Sequence, residues 1–199
     1  MDPFRDILTG FLDALALDAV VLAGVSMDGG VAIGFALQRP TRVSKLVLVD
    51  SYGLQDKAPA HVLSYLFLRM PLLNELTWAL VRKSRSLTRS SLAGIFHNPA
   101  RIPDELVETV YDEIRKPHTG RALRSFQVNE ATWNGLRTIH MPRLAEIQAP
   151  TLIVHGEEEP SFRSASRARP RRAFPEAGHW PQREKPDQFN SLVSEFLST

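Results

Sequence analysis

The stretch from Val20 to Gly30 constrains the fold more than any other part of the chain. It opens with four apolar residues in succession, reaches Gly24, and continues after Ser26 into a run of small and apolar residues. A short apolar run is typical of a strand buried on both faces, and the residues after Ser26 have the composition of a closely packed helix. The sequence therefore predicts a strand, a tight turn at Ser26 and a helix.

The same pattern continues on both sides of this stretch. We predict strands over 19–23, 45–50 and 150–156, each a nearly continuous apolar run, and helices over 4–17, 29–38 and 186–197, each with apolar residues at helical spacing. A strand, a helix and a second strand within about 30 residues form a βαβ unit with a right-handed crossover. The fold class is therefore α/β, with a parallel sheet.

The segment from 53 to 142 has a different character, because it contains helical periodicity and no convincing strand. Helices are predicted over 61–68, 72–82, 104–116 and 121–133, separated by prolines that helices seldom tolerate internally. The predicted organisation is an α/β core formed by 1–52 and 143–199, interrupted by a helical insert formed by 53–142.

Composition excludes several kinds of chemistry. The 199 residues include no cysteine, so disulfides, thiolate catalysis and cysteine-ligated zinc are excluded. The histidines and carboxylates show no metal-ligand spacing, and we expect neither a metal nor a cofactor. We also expect a cytoplasmic location and no membrane partner, because there is no signal-peptide pattern and no apolar run of roughly 18 residues.

The charge is uneven although the net charge is only +2. Residues 163–172 contain five arginines and no acidic residue, a composition that can bind phosphate groups. No aromatic interleaving and no nucleic-acid-binding motif accompanies these arginines, so we expect no nucleic-acid partner. The stretch 161–172 shows neither helical nor strand periodicity and is predicted to be a loop or disordered.

Three separated motifs occur in a characteristic order. They are Gly24-Val25-Ser26-Met27-Asp28, then Ala149-Pro150-Thr151-Leu152-Ile153-Val154-His155-Gly156-Glu157-Glu158-Glu159-Pro160, and finally Phe174-Pro175-Glu176-Ala177-Gly178-His179-Trp180-Pro181. With a helical insert between the first two, the chain resembles the α/β-hydrolases, and among them the capped serine hydrolases that include meta-cleavage-product hydrolases and related bacterial esterases. The resemblance implies a partial α/β-hydrolase sheet with an inserted helical cap.

The resemblance also implies a chemistry, the hydrolysis of a small-molecule ester, lactone or carbon–carbon bond adjacent to a ketone. Ser26 corresponds to the nucleophile of this family, His179 to the general base, and the backbone N–H of Met27 to one oxyanion donor. Glu159 occupies the position of the acid, which is usually aspartate. The neighbouring Glu157 and Glu158, and Asp50 at the end of the preceding strand, are alternative positions for this acid.

Two residues near the end of the insert, Trp133 and His140, are candidates for the lining of a substrate pocket, although a packing role fits them equally well. The other histidines of the insert are expected to be structural or exposed.

Three departures from the family pattern favour a second hypothesis. The chain starts at the helix before the Ser26 strand, where the family has roughly 80 further residues, so we expect a truncated chain with an exposed apolar strand edge. Asp28 replaces a small residue of the turn, and the segment between Glu159 and His179 is short and rich in arginine. The alternative is therefore a non-catalytic remnant or an association module that pairs through this edge, and we expect the chain alone to be weakly active or inactive.

Overall fold

The computed structural model describes residues 2–58, 60–157 and 171–199, without the side chains of Asp2 and Arg171. The chain divides into two compact units. The core unit comprises Met1–Asp56 and Thr138–Thr199, and the helical unit comprises Lys57–Arg137. The domain limits given above, 1–52 with 143–199 and 53–142, remain a prediction.

The core unit is built on a parallel sheet, as predicted. Its strands are β1 (Val20–Val25), β2 (Val43–Val49), β3 (Thr151–Gly156) and β4 (Arg171–Phe174), and they lie side by side in the order β1-β2-β3-β4. Val25 pairs with Val49, and Val49 pairs with Val154, so that the carboxyl ends of β1, β2 and β3 lie level with one another. This edge is where open α/β sheets bind ligands.

Nine helices occur within the described residues: α1 (Asp2–Ala14), α2 (Met27–Gln38), α3 (His61–Leu68), α4 (Pro71–Val81), α5 (Arg85–Ala93), α6 (Asp104–Arg115), α7 (Arg121–Glu130), α8 (Pro181–Glu184) and α9 (Pro186–Ser198). Short 3₁₀ turns cover Pro40–Arg42, Pro99–Arg101 and Met141–Glu146.

Helices cover both faces of the core sheet. On one face, Ile33 and Phe35 of α2 pack with Leu46 and Leu48 of β2, and all four side chains are fully buried or nearly so. On the other face, Val49 belongs to a second buried cluster against which the apolar residues of α9 pack. Burial on both faces explains why the strands are continuous apolar runs rather than alternating ones.

The prediction of a loop over 161–172 is wrong at its end. Residues 171–174 form β4, which pairs in parallel with β3 from Ile153 to Gly156. Ladder hydrogen bonds to an existing strand stabilise an extended segment even where the side chains show no alternation, because the tertiary partner overrides local propensity. Residues 161–170 lie outside the described residues.

The helical unit contains α3 to α7 and differs from the sequence prediction in two places. The polar helix α5 was not among the predicted helices; it is capped by Ser84, whose hydroxyl accepts a hydrogen bond from the backbone N–H of Leu87 at 3.3 Å. The helix predicted over 121–133 ends at Glu130, because Ala131 leaves it to form an isolated bridge with Leu136. Among the described residues, no helix combines the length and the apolar character needed to cross a bilayer.

Candidate active site

Ser26 lies in the turn between β1 and α2, in a backbone conformation that side-chain-bearing residues seldom adopt. Its φ is 53° and its ψ is −119°. Such a conformation costs about 1–3 kcal/mol and persists only where the surrounding contacts fix it. Three backbone hydrogen bonds do so: the N–H of Ser26 donates to the carbonyl of Val49 at 2.9 Å, and its carbonyl accepts from Tyr52 at 2.8 Å and from Gly30 at 3.3 Å.

The turn also requires a very close approach between β1 and α2. A Cβ on Gly24 would lie 2.6 Å from the backbone nitrogen of Gly29, and a Cβ on Gly29 would lie 1.9 Å from the hydroxyl oxygen of Ser51. Both positions therefore need glycine. Asp28 is exposed at the start of α2, so the close approach is kept although this residue is not small. Strand, strained serine and helix N-terminus together have the backbone geometry of a nucleophile elbow.

Asp50 follows β2 and lies at the same edge of the sheet. Its backbone also has a positive φ, 39°, and its N–H donates to the carbonyl of Val154 at 3.0 Å. Its carboxylate is buried, with Oδ1 2.9 Å from Nδ1 of His155 and Oδ2 accepting from the N–H of Gly156 at 3.3 Å. Asp50 and the fully buried His155 thus form a polar pair at the ends of β2 and β3.

Opposing effects act on the acidity of Asp50. Burial raises the pKa of its carboxyl above the ordinary value, because the charged form is poorly solvated. The hydrogen bond and charge of His155, the charge of His179 and the N–H of Gly156 act in the opposite direction without cancelling the effect of burial. His179 is thus one of the groups whose charge opposes the effect of burial on the pKa of Asp50.

The loop that carries His179 packs against the end of β3. A Cβ on Gly156 would lie 1.9 Å from the carbonyl oxygen of Gly178, so the loop backbone rests directly on this glycine. The N–H of Gly178 donates to Oε1 of Glu184 at 2.7 Å, which fixes the loop to α8. The half-buried His179 is therefore held at the carboxyl edge of the sheet through the contacts of the preceding residue, Gly178.

The predicted acid cannot be placed, because Glu159 and Glu158 lie outside the described residues. Glu157 is exposed, and its N–H donates to the carbonyl of Phe174 at 2.9 Å. Met27 is the first residue of α2, so its N–H belongs to the free N–H groups of a helix N-terminus. The structure thus brings Ser26, Asp50 and the His179 loop to one edge.

The two predicted pocket residues belong to different units. His140, in the core unit, is buried, and the edge of its ring lies against Gly53, where a Cβ would be 2.7 Å from Cδ2. Its backbone N–H donates to the carbonyl of Gly53 at 2.8 Å, which gives His140 a packing role. Trp133, in the helical unit, is largely exposed and meets the ring of Tyr65 edge-on at 5.7 Å.

Sequence analysis missed His155 as part of this site. The signal was present, since a histidine inside an otherwise apolar parallel strand needs a buried partner, and Asp50 ends the neighbouring strand. No group of three metal-ligating side chains converges within 2–58, 60–157 and 171–199.

Comparison with known proteins shows the family of the chain. Residues 1–192 match the model of the alpha/beta hydrolase family. The chain is 30% identical over 203 residues to a 2-hydroxy-6-oxononadienedioate/2-hydroxy-6-oxononatrienedioate hydrolase of Dechloromonas aromatica, and 32% identical over 206 residues to one of Pseudomonas putida. In both cases the match covers 96% of this chain and 66% of the relative. The chain thus spans slightly less than two thirds of the length of these relatives.

Solved structures show the same fold. A meta-cleavage product hydrolase of Pseudomonas fluorescens IP01 superimposes with a TM-score of 0.76 at 24% identity, over 99% of this chain and 71% of that protein. The 2-hydroxy-6-oxo-6-phenylhexa-2,4-dienoate hydrolase of Rhodococcus sp. strain RHA1 superimposes with a TM-score of 0.73 at 18% identity, over 98% and 69%. The fold, the elbow at Ser26 and the family match lead to one conclusion: the chain belongs to the α/β-hydrolase family.

Proposed function

We propose that the protein is a serine hydrolase that cleaves an ester, a lactone or a carbon–carbon bond next to a ketone in a small-molecule substrate. The observation that carries the proposal is the strained backbone of Ser26 at the start of α2, since such strain is concentrated at functional sites. The names of the relatives favour carbon–carbon bond hydrolysis, because the Dechloromonas and Pseudomonas proteins are hydrolases of oxo-dienedioates.

In this mechanism the hydroxyl of Ser26 attacks the substrate carbonyl while His179 accepts its proton. His179 then donates that proton to the leaving group, and water hydrolyses the acyl-enzyme through the same base. The N–H of Met27 stabilises the oxyanion as one donor of the hole, a kind of interaction worth about 3–4 kcal/mol in other serine hydrolases. The reaction needs no cofactor.

The carboxylate that orients His179 is either Glu159, at the position expected from the family, or Asp50. Two observations support Asp50: its carboxylate is buried at the same edge, and the charge of His179 acts on its acidity. Asp50→Asn and Glu159→Gln distinguish the two hypotheses in a hydrolysis assay. We expect the substitution of the true acid to lower kcat by about 10²- to 10⁴-fold and the other to leave it within a fewfold of the parent.

The direct assay is hydrolysis of p-nitrophenyl acetate. We expect a low rate from this chain, because the exposed carboxylate of Asp28 in the first turn of α2 lies near the position where the oxyanion forms. Ser26→Ala abolishes the rate above background, whereas Ser44→Ala, an exposed serine of β2, retains it. Asp28→Gly raises the rate severalfold. A rate that persists unchanged in Ser26→Ala would overturn the proposal.

A second candidate function is self-association through β1, which forms one edge of the sheet within the described residues. The side chain of Val21 is 48% exposed on this strand, and apolar residues of α1, among them Ile7 and Phe11, are exposed as well. An apolar edge strand is a template for pairing with another chain. The observations fit a second copy of this chain as the partner. Val21→Lys then lowers the association constant in sedimentation velocity, and an unchanged mass distribution would contradict this function.

A further inference from the structure

A small cavity of about 170 Å³ in the helical unit, which we call the arginine cavity, collects positive charge. Its lining residues include Arg82, Arg121, Arg124 and His118, and Glu75 is the one acidic residue among them. Glu75 forms an ion pair with Arg124, so two guanidinium groups remain without a carboxylate in the lining. Three arginines that share one small cavity repel one another unless an anion separates them.

The position of this charge on the helix adds to the repulsion. The cavity includes Thr119, Gly120 and Arg121, the residues at which α7 begins, and a helix N-terminus carries about half a positive charge. Helix N-termini normally have an acidic residue or a capping side chain. In the described structure α7 has no acidic residue in its first turn and no side-chain cap at Gly120. Arg121 and Arg124 instead place cations where the helix dipole favours anions.

The cavity is held in shape by specific contacts. The guanidinium of Arg82 lies over the ring of Trp78, 5.7 Å from its centroid, and its Nη2 donates to the carbonyl of Thr119 at 2.9 Å. Gly120 has a φ of 85°, and a Cβ there would lie 3.2 Å from the ring of Trp78. The start of α7 therefore packs against Trp78, and Arg82 contacts both the Trp78 ring and the carbonyl of Thr119.

One donor in this arrangement lacks an acceptor. The Nε of Arg82 is buried and has no hydrogen-bond partner among the residues that the structure describes. A buried N–H without a partner is costly, particularly on a charged group. The fork of an arginine matches the oxygens of a phosphate, sulfate or carboxylate, which supply the negative charge that the lining lacks.

We propose that the arginine cavity is a binding site for an oxyanion, held by Arg82, Arg121 and the N-terminus of α7. Trp78 also lines a second cavity of about 570 Å³, whose walls include the apolar side chains of Leu63, Phe67 and Leu68. The oxyanion is thus either a free ion or the head group of an amphiphile whose apolar part occupies this second cavity. This site lies in the helical unit and is independent of the hydrolase chemistry proposed for the core unit.

The test is calorimetric titration of the full chain with inorganic phosphate at constant pH and ionic strength. Arg82→Gln and Arg121→Gln each weaken phosphate binding by about tenfold, the loss expected for one charge-assisted hydrogen bond. Arg101→Gln is the matched control, because Arg101 is an exposed arginine of the same unit outside the cavity and its substitution leaves the affinity unchanged. Arg121 is exposed, so its substitution tests the site even if Arg82→Gln fails to fold.

A second titration with decyl phosphate distinguishes the two sources of the oxyanion. Binding more than about tenfold tighter than that of phosphate, weakened equally by Arg121→Gln, identifies an amphiphile head group, whereas equal affinities identify a free ion; both results support the site. The absence of phosphate binding overturns the proposal. Binding of either ligand that is the same in the parent, Arg82→Gln and Arg121→Gln overturns it as well.

Discussion

The carboxyl edge of the core sheet and the α3–α4 segment of the helical unit differ in how tightly their side chains are packed. At the sheet edge, Ser26 and Asp50 have strained backbones, and the carboxyl group of Asp50 is buried. Several hydrogen bonds hold both residues in place. In α3 and α4, many large apolar side chains are exposed: Val62, Leu63, Leu66, Leu72, Leu73, Leu76 and Leu80. The comparison teaches that structural constraint is strong at the proposed active site, while the exposed positions of α3 and α4 are expected to tolerate change.

The largest difference is expected for leucine truncation. Leu48→Ala removes a fully buried side chain of β2 and lowers the free energy of unfolding by about 2–5 kcal/mol, because a cavity remains. Leu72→Ala removes a side chain of α4 that is 86% exposed and changes the free energy by less than about 0.5 kcal/mol. Urea unfolding followed by circular dichroism measures both. Equal losses would show that the two regions are constrained alike.

A smaller difference is expected from adding one methyl group. Gly156→Ala forces a Cβ into the backbone of Gly178 and destabilises the fold by about 1–3 kcal/mol, while it also displaces the His179 loop. Gly94→Ala is the control in the helical unit, since its added Cβ meets nothing closer than 4.0 Å and its φ is −76°. That substitution is neutral or stabilising by up to about 1 kcal/mol. If Gly156→Ala were as stable as Gly94→Ala, the close packing of the loop would be refuted.

The buried carboxylate predicts a pH dependence. Burial raises the pKa of Asp50 in the folded state, so the folded chain holds this proton more tightly than the unfolded chain does. The stability that the group contributes is therefore present below its ordinary pKa of 3.8 and is lost as the pH rises through the folded value. Asp50→Asn removes this ionisation. The free energy of unfolding of the variant, relative to that of the parent, therefore rises with pH across that window.

Urea unfolding at several pH values measures this difference. Asp56→Asn, at an exposed position, is the control for the loss of one carboxylate. A difference between Asp50→Asn and the parent that falls with rising pH would contradict the proposed effect of burial.

The smallest effect concerns a helix cap. Ser84→Ala removes the acceptor for the N–H of Leu87 at the start of α5 and costs about 1 kcal/mol. Ser86→Ala, an exposed serine two residues later in the same helix, is the control and leaves the free energy of unfolding within about 0.5 kcal/mol of the parent. If the two variants lost the same stability, the cap at Ser84 would have no role of its own.

Local sequence patterns predicted the parallel sheet because its first three strands are buried apolar runs and the first two flank a helix. The elbow at Ser26 was predictable for the same reason, since glycine, serine and helix composition occur within eleven consecutive residues. The pairing of Asp50 with His155 joins residues 105 positions apart, so local patterns show two polar positions in apolar strands but not that the two residues pair. β4 was missed because pairing with β3 stabilises it rather than its own side chains.

The most direct test of the proposed active site is labelling with a fluorophosphonate probe, followed by intact mass measurement. The proposal predicts addition of one probe to the folded chain, with labelling lost in Ser26→Ala and strongly reduced in His179→Ala, while Ser44→Ala labels like the parent. Such a result would show that the nucleophile and base act together. A folded chain that remains unlabelled, or one that labels equally well in Ser26→Ala, would contradict the proposal that Ser26 is an activated nucleophile.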